Sequence, residues 1–311
     1  MQKINPLYFG YIIAFMSVLT NSSVYILSKL AFREVDLLIF GFYWFGFGLI
    51  WNMMNVSGAA FRKRLKPMNK SNFTILTIIV VLESIATYFF FTALIKTPNP
   101  GVVVFLGSLS PVFVTILAVG LLGERFNTAE LIGILLSLAG ALIISVDGIE
   151  NLRTIFVNGN GQMIVSAIFY ALATIIIKKN IRIIDVSVVT MNRSLVLFLI
   201  SLVIILTQHL SVSVSPFTFR VLLAGSVLGP FFTVYLLYSS LRYIGASNTA
   251  VVSSARNVFV LLAAWMVFGT LPLKLQLIGG AISITGILLL SAARSRLVWI
   301  RRINSLKLSK G

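Results

Sequence analysis

Three ionisable side chains fall where an apolar chain should have none. Glu83, Arg193 and Arg256 each lie inside a long hydrophobic run, and a charge near the centre of such a run costs roughly 2.5–3.5 kcal/mol in lipid. Arg256 is the deepest, about nine residues into the run 247–268, too far from either end for its side chain to reach water easily. Ser253, Arg256 and Asn257 stand at i, i+3 and i+4 and so share one helical face. A guanidinium on such a face is a planar fork for a carboxylate or phosphate. It could equally be a structural ion, paired with Glu83 or capping backbone carbonyls. Glu83 shares a face with Thr87 and Phe90, and three roles are open to it: proton carrier, contact for a substrate amine, or permanent partner of Arg256 or Arg193. Arg193, about seven residues into its run beside Asn192, is expected to reach the headgroups.

Polar and aromatic residues in neighbouring runs supply candidate walls for a cavity. Asn21, Ser22 and Tyr25 lie in the first run, Tyr170 and Thr174 in the sixth, Tyr235 and Tyr238 in the eighth. Tyr88 in the third run matches Tyr235 at an offset of 147. Such a symmetric pair suits stacking and hydrogen bonding inside a cavity, although tyrosines also anchor helices at the membrane interface. Ser110 precedes Pro111 in the fourth run, and Pro230 follows Gly229 in the eighth. A proline inside a span frees a backbone carbonyl and bends the helix, which makes both prolines candidate hinges or packing devices.

The chemistry that is missing excludes whole classes. With no cysteine and a single histidine, His209, the chain offers no thiolate nucleophile, disulfide scaffold, histidine metal cluster or other metal site. No cofactor is implied, and no P-loop supports a nucleotide-driven pump. The rival classes are an intramembrane enzyme, which would need a nucleophile–base pair within the bundle, and a channel-like facilitator, which would need a ring of charges.

The elements that must position these residues are membrane helices. The chain of 311 residues is 58% hydrophobic and only 11% charged, with a mean hydropathy of +1.01. About 20 apolar residues cross the hydrocarbon core, and ten such spans can be drawn: 8–28, 37–56, 73–94, 101–122, 128–146, 161–178, 186–207, 217–241, 247–268 and 273–292. The first is read as a retained helix, not a cleaved signal peptide, because no small-residue cleavage site follows it. The net charge of +17 could suggest nucleic acid, but the basic residues have no aromatic–basic groove around them. Instead 17 of the 25 lie at the N-terminus, in the connectors after even-numbered spans, among them Arg62, Lys63, Arg64, Lys66 and Lys70, or in the C-terminal tail. That distribution predicts both termini in the cytoplasm of a multi-pass cell-membrane protein, the inner membrane if bacterial. The same clusters can touch anionic lipid headgroups.

The chain also repeats itself. Gly107, Gly123, Gly133, Ser137 and Gly140 recur without a gap as Ser253, Gly269, Gly279, Ser283 and Gly286, 146 residues later. The expected division is a first five-helix unit over 1–150, a second over 151–295 and a basic tail over 296–311. Five is odd, so the second unit must enter the membrane from the opposite side. The expected fold is an all-α polytopic bundle of two inverted five-helix repeats, the construction used for alternating access around a central small-molecule site. One chain supplies both halves of the gate, which is compatible with a functional monomer.

The run Pro111-Val112-Phe113, then Leu122-Gly123-Glu124-Arg125, Ile132-Gly133 and Gly140, resembles the signature of the EamA branch of the drug/metabolite transporter superfamily. The first span, with Asn21, Ser22 and Ser23 ahead of Lys29, and the sixth, with Tyr170, are similar to that family too. The resemblance implies a ten-helix secondary transporter of amino acids, nucleobases, sugars or other metabolites, often outward. The second copy departs from the pattern: Asn257 stands at the position of Pro111, Thr270 at Glu124 and Arg256 at Ser110. The first span has no Asp or Glu, so the proton coupling of the superfamily's four-helix members cannot be carried over. The cationic centre and its tyrosines predict a small anionic or zwitterionic, amino-acid-like substrate.

Overall fold

The computed structural model describes residues 6–57, 69–98, 100–110, 112–114, 116–117, 127–145, 159–181, 183–244, 249, 252–253, 255–270, 272–275, 277–289 and 292–293. The expected boundary at 150, the tail 296–311 and the hinge candidate Pro111 lie outside these residues. Among the described residues there is no strand. Six helices among the described residues are long and apolar enough to span a bilayer: α1 (Pro6–Ala31), α2 (Leu37–Ser57), α3 (Lys70–Lys96), α6 (Asn160–Asn180), α7 (Val186–Thr207) and α8 (Pro216–Ser240). Shorter apolar helices follow the remaining runs: α4 (Pro100–Gly107), α5 (Thr128–Ser145), α9 (Arg256–Phe268) and α10 (Leu277–Leu289).

Short polar residues set several boundaries, because the first N–H groups of a helix need acceptors. Asn69 accepts from the Asn72 amide at 2.8 Å to start α3. Asp185 accepts from Ser187 to start α7. Ser215 accepts from Thr218 to start α8, with Pro216 in the first turn. Glu34, in the α1–α2 turn, adds a clamp at that same helix start. It accepts from the Ser215 amide at 2.5 Å, from the Ser215 hydroxyl at 2.6 Å and from Thr218 Oγ1. These bonds favour the carboxylate and hold Glu34 below the usual carboxylate range.

Helix pairing obeys a two-fold exchange of the halves. α1 packs on α8 as α6 packs on α3; α2 meets α8 as α7 meets α3; α1 meets α9 as α6 meets α4. The pairs α2·α7 and α4·α9 map onto themselves. Direction follows from what meets at one end of the bundle. The ends of α1, α3 and α9 line one cleft there, and the α1–α2 turn holds the start of α8. Gly159, at the start of α6, abuts Thr97 and Lys96 at the end of α3. So α1 ends where its counterpart α6 begins, and α3 ends where α8 begins. The repeats are inverted.

The repeated glycine stripe locks α5 against α10. Backbones approach so closely that a Cβ on Gly286 would lie 2.6 Å from the Gly133 carbonyl oxygen and from the Ser137 amide nitrogen. Small residues permit this contact, and no flexible side chain can yield there. Gly286→Ala is therefore expected to destabilise the protein by about 1–3 kcal/mol, the usual penalty of overpacking. A lowered melting temperature in detergent, set beside an exposed control such as Thr285→Ala, checks it.

Candidate functional site

A chain of buried polar groups runs through the contact between the halves. Glu83, halfway along α3, is fully buried. Its carboxylate forms an ion pair with Arg193 of α7 (Nε to Oε2, 3.3 Å) and accepts a hydrogen bond from the Tyr238 hydroxyl of α8. Arg193 donates twice to Thr87 Oγ1, from Nε at 3.2 Å and Nη2 at 2.8 Å. Its carbon Cζ lies 5.8 Å from the centre of the Phe45 ring, and Nη1 has no hydrogen-bond partner. Thr87 is also within 3.2 Å of the Tyr170 hydroxyl on α6. Glu83 and Thr87 belong to the first half; Arg193, Tyr170 and Tyr238 belong to the second. The expectation that Arg193 reaches the headgroups is overturned. It is 5% exposed and turned inward, because α3 presents Glu83 and Thr87 one turn apart directly against α7.

Arg256 sits apart from that pair. Its carboxylate candidate, Glu83, is taken by Arg193, and no acid pairs with Arg256 among the described residues. The guanidinium lies over the Tyr25 ring at 5.7 Å, and its buried Nε has no hydrogen-bond partner among the described residues. Gly107 is opposite: a Cβ there would stand 3.8 Å from Arg256 Nη2 and 3.2 Å from the Tyr25 hydroxyl. The small face of α4 thus meets the cationic face of α9. Asn257, fully buried beside Arg256, accepts from Ser108 Oγ at 2.8 Å, while its Nδ2 has no partner among the described residues. The contact to α4 is made by Ser108. Ser110 is half-buried. Tyr25 packs edge-to-face on Phe90 at 5.0 Å, Asn21 lies half-buried one turn earlier on the same face, and Ser253 is half-buried.

The symmetric tyrosine wall does not form. Tyr88 is 54% exposed and belongs to an outward stripe with Ile78, Val81 and Ile95, whose spacing places them on one helix face. Tyr235, its counterpart, stacks on Phe231 at 6.4 Å within an apolar cluster with Leu76 and Ile79. Tyr238, one turn further along α8, is the tyrosine that reaches the polar centre. Pro230 lies inside a π-helical stretch of α8, Val227–Thr233. That stretch is braced by the first half: Asn52 donates to the Pro230 carbonyl at 3.3 Å, and Ser17 to the Thr233 carbonyl at 3.1 Å. A π segment often marks a functional site. Among the described residues no His, Cys, Asp and Glu cluster could hold a metal ion.

A duplicated, inverted bundle whose halves meet through buried charges is the architecture of a membrane transporter. The chain belongs to the EamA-like transporter family, part of the drug/metabolite transporter superfamily, which matches residues 8–146 and again 158–292. An uncharacterised transporter of Synechocystis sp. is 26% identical over 237 residues, covering 73% of this chain and 67% of that protein. A crystal structure of a protein with 17% sequence identity superposes with a TM-score of 0.68, covering 93% of this chain and 99% of the other. The protein is a multi-pass transporter of the cell membrane and not an enzyme.

Proposed function

We propose that the protein is a secondary exporter of small carboxylate-bearing, amino-acid-like metabolites, working by alternating access between its two repeats. The observation that carries this reading is Arg256: a guanidinium inside the bundle, with no acidic partner among the described residues and a buried Nε left free. Desolvated donors are costly unless something accepts from them, and a substrate carboxylate would satisfy Arg256 together with the free Asn257 amide. Tyr25, Asn21, Ser253 and Tyr170 complete the polar lining. Outward flux is the direction that the family resemblance favours. The cytoplasmic placement of both termini rests on the distribution of basic residues.

Glu83 serves as the gate element in this reading. Its bonds to Arg193 and Tyr238 tie α3 to α7 and α8, so rocking of the halves must break or carry them. Protonation of Glu83 would remove the ion pair and is a route for coupling to a proton gradient. Pro230 and its π segment supply the bend. A thermal-shift screen of purified protein against amino acids, organic acids, nucleobases and sugars tests the substrate class. Carboxylates should stabilise the wild type clearly more than Arg256→Ala. Stabilisation by nucleobases or sugars alone would sink the assignment.

A further inference from the structure

Where the last turns of α1, α3 and α9 meet, the bundle opens into a cleft of about 210 Å3, lined by Lys29, Phe32, Arg33, Phe268 and Thr270 among others. Its charge balance is one-sided. The two acids that follow Arg33 are committed elsewhere: Glu34 to Ser215 and Thr218 at the start of α8, and Asp36 to the amides of Leu38 and Ile39 at the start of α2. Lys29 donates to the Leu94 and Thr97 carbonyls at 2.7 Å each and is fixed against the end of α3. Arg33 forms no ion pair among the described residues. Its Cζ lies 5.0 Å from the centre of the Phe268 ring, which orients the guanidinium plane and leaves its N–H edge open. Phe32 and Phe268 offer apolar surface beside that cation.

We propose that this cleft is a second, peripheral binding site for small carboxylates with an apolar body, held by Arg33 and separate from the Arg256 centre. Phe268 is twelve residues along α9 from Arg256, about 18 Å at helical rise. A carboxylate would stop here on its way to or from the centre. That transport role rests on the Arg256 reading; the existence of the site does not.

The chain has no cysteine, so Thr270→Cys places a single thiol in the cleft of the full-length protein. In detergent it is labelled with an anionic and a cationic methanethiosulfonate, each rate normalised to that of the same reagent with free mercaptoethanol. The anionic reagent should be favoured by about tenfold, the effect of a nearby unit charge at intermediate dielectric. The preference should fall severalfold on adding Arg33→Gln, leaving the part due to Lys29, and return with Arg33→Lys. Benzoate should slow labelling in Thr270→Cys and after Arg256→Gln, but not after Arg33→Gln. Parity of the reagents in the parent, a preference indifferent to Arg33→Gln, or no protection by benzoate would each overturn the proposal. Protection lost on Arg256→Gln would also overturn it, leaving the centre as the carboxylate site. Protection kept there, with carboxylate thermal shifts indifferent to Arg256, would uphold the cleft and remove the central reading instead.

Discussion

Arg193→Met is expected to be among the most destabilising single substitutions in the protein, by about 3–5 kcal/mol. It would leave the fully buried Glu83 carboxylate without its cation in a medium that cannot solvate it. The desolvation cost of a buried pair nearly cancels its attraction, so removing both charges costs far less than removing one. Arg193→Met with Glu83→Gln should therefore recover most of the lost stability, since the glutamine carbonyl still accepts from Tyr238. Thermal unfolding of the two single variants and the double variant in the same detergent checks this as a cycle. Additive losses would mean that Glu83 and Arg193 are not coupled.

Arg256→Ala should do the opposite: little to folding and much to ligand binding. Its guanidinium has an aromatic contact but no ion pair among the described residues, so its removal leaves no carboxylate stranded. Losing a charge-assisted bidentate contact to a bound carboxylate costs about 2–4 kcal/mol, or roughly 30- to 1,000-fold in affinity. Arg256→Lys should restore only part of it, because an ammonium cannot reproduce the planar fork. Equilibrium binding of a carboxylate identified in the thermal-shift screen measures both variants.

Much of the fold was legible because lipid imposes strong rules. Hydropathy placed the second and seventh helices at 37–56 and 186–207, against Leu37–Ser57 and Val186–Thr207 in the structure. The residues of the glycine echo lie in the α5–α10 contact, since closely packed backbones tolerate only small residues. The site was legible in part. Arg256 and Asn257 share one face as their spacing implies, and Gly107 of α4 lies against Arg256. Arg193 was misread because depth along a helix says nothing about which way the side chain faces. The partner that turns it inward, Glu83, lies on another helix, 110 residues earlier in the chain. Tyr88 and Tyr235 were matched by offset alone. The outward stripe Ile78, Val81, Tyr88 and Ile95 would have exposed the error, since apolar residues recurring at that spacing mark a lipid-facing surface. Ser108 and Thr87 gave little signal, as single hydroxyls are common in membrane helices.

The central claim is that Arg256 holds the substrate carboxylate. The most direct measurement is a binding cycle by titration calorimetry, pairing wild type and Arg256→Ala with a carboxylate ligand and its carboxamide analogue. The account predicts strong coupling: the carboxamide binds the wild type at least about 30-fold more weakly than the carboxylate, and most of that discrimination is lost in Arg256→Ala, the remainder belonging to the Arg33 cleft. Equal discrimination between the ligands in both proteins would contradict it.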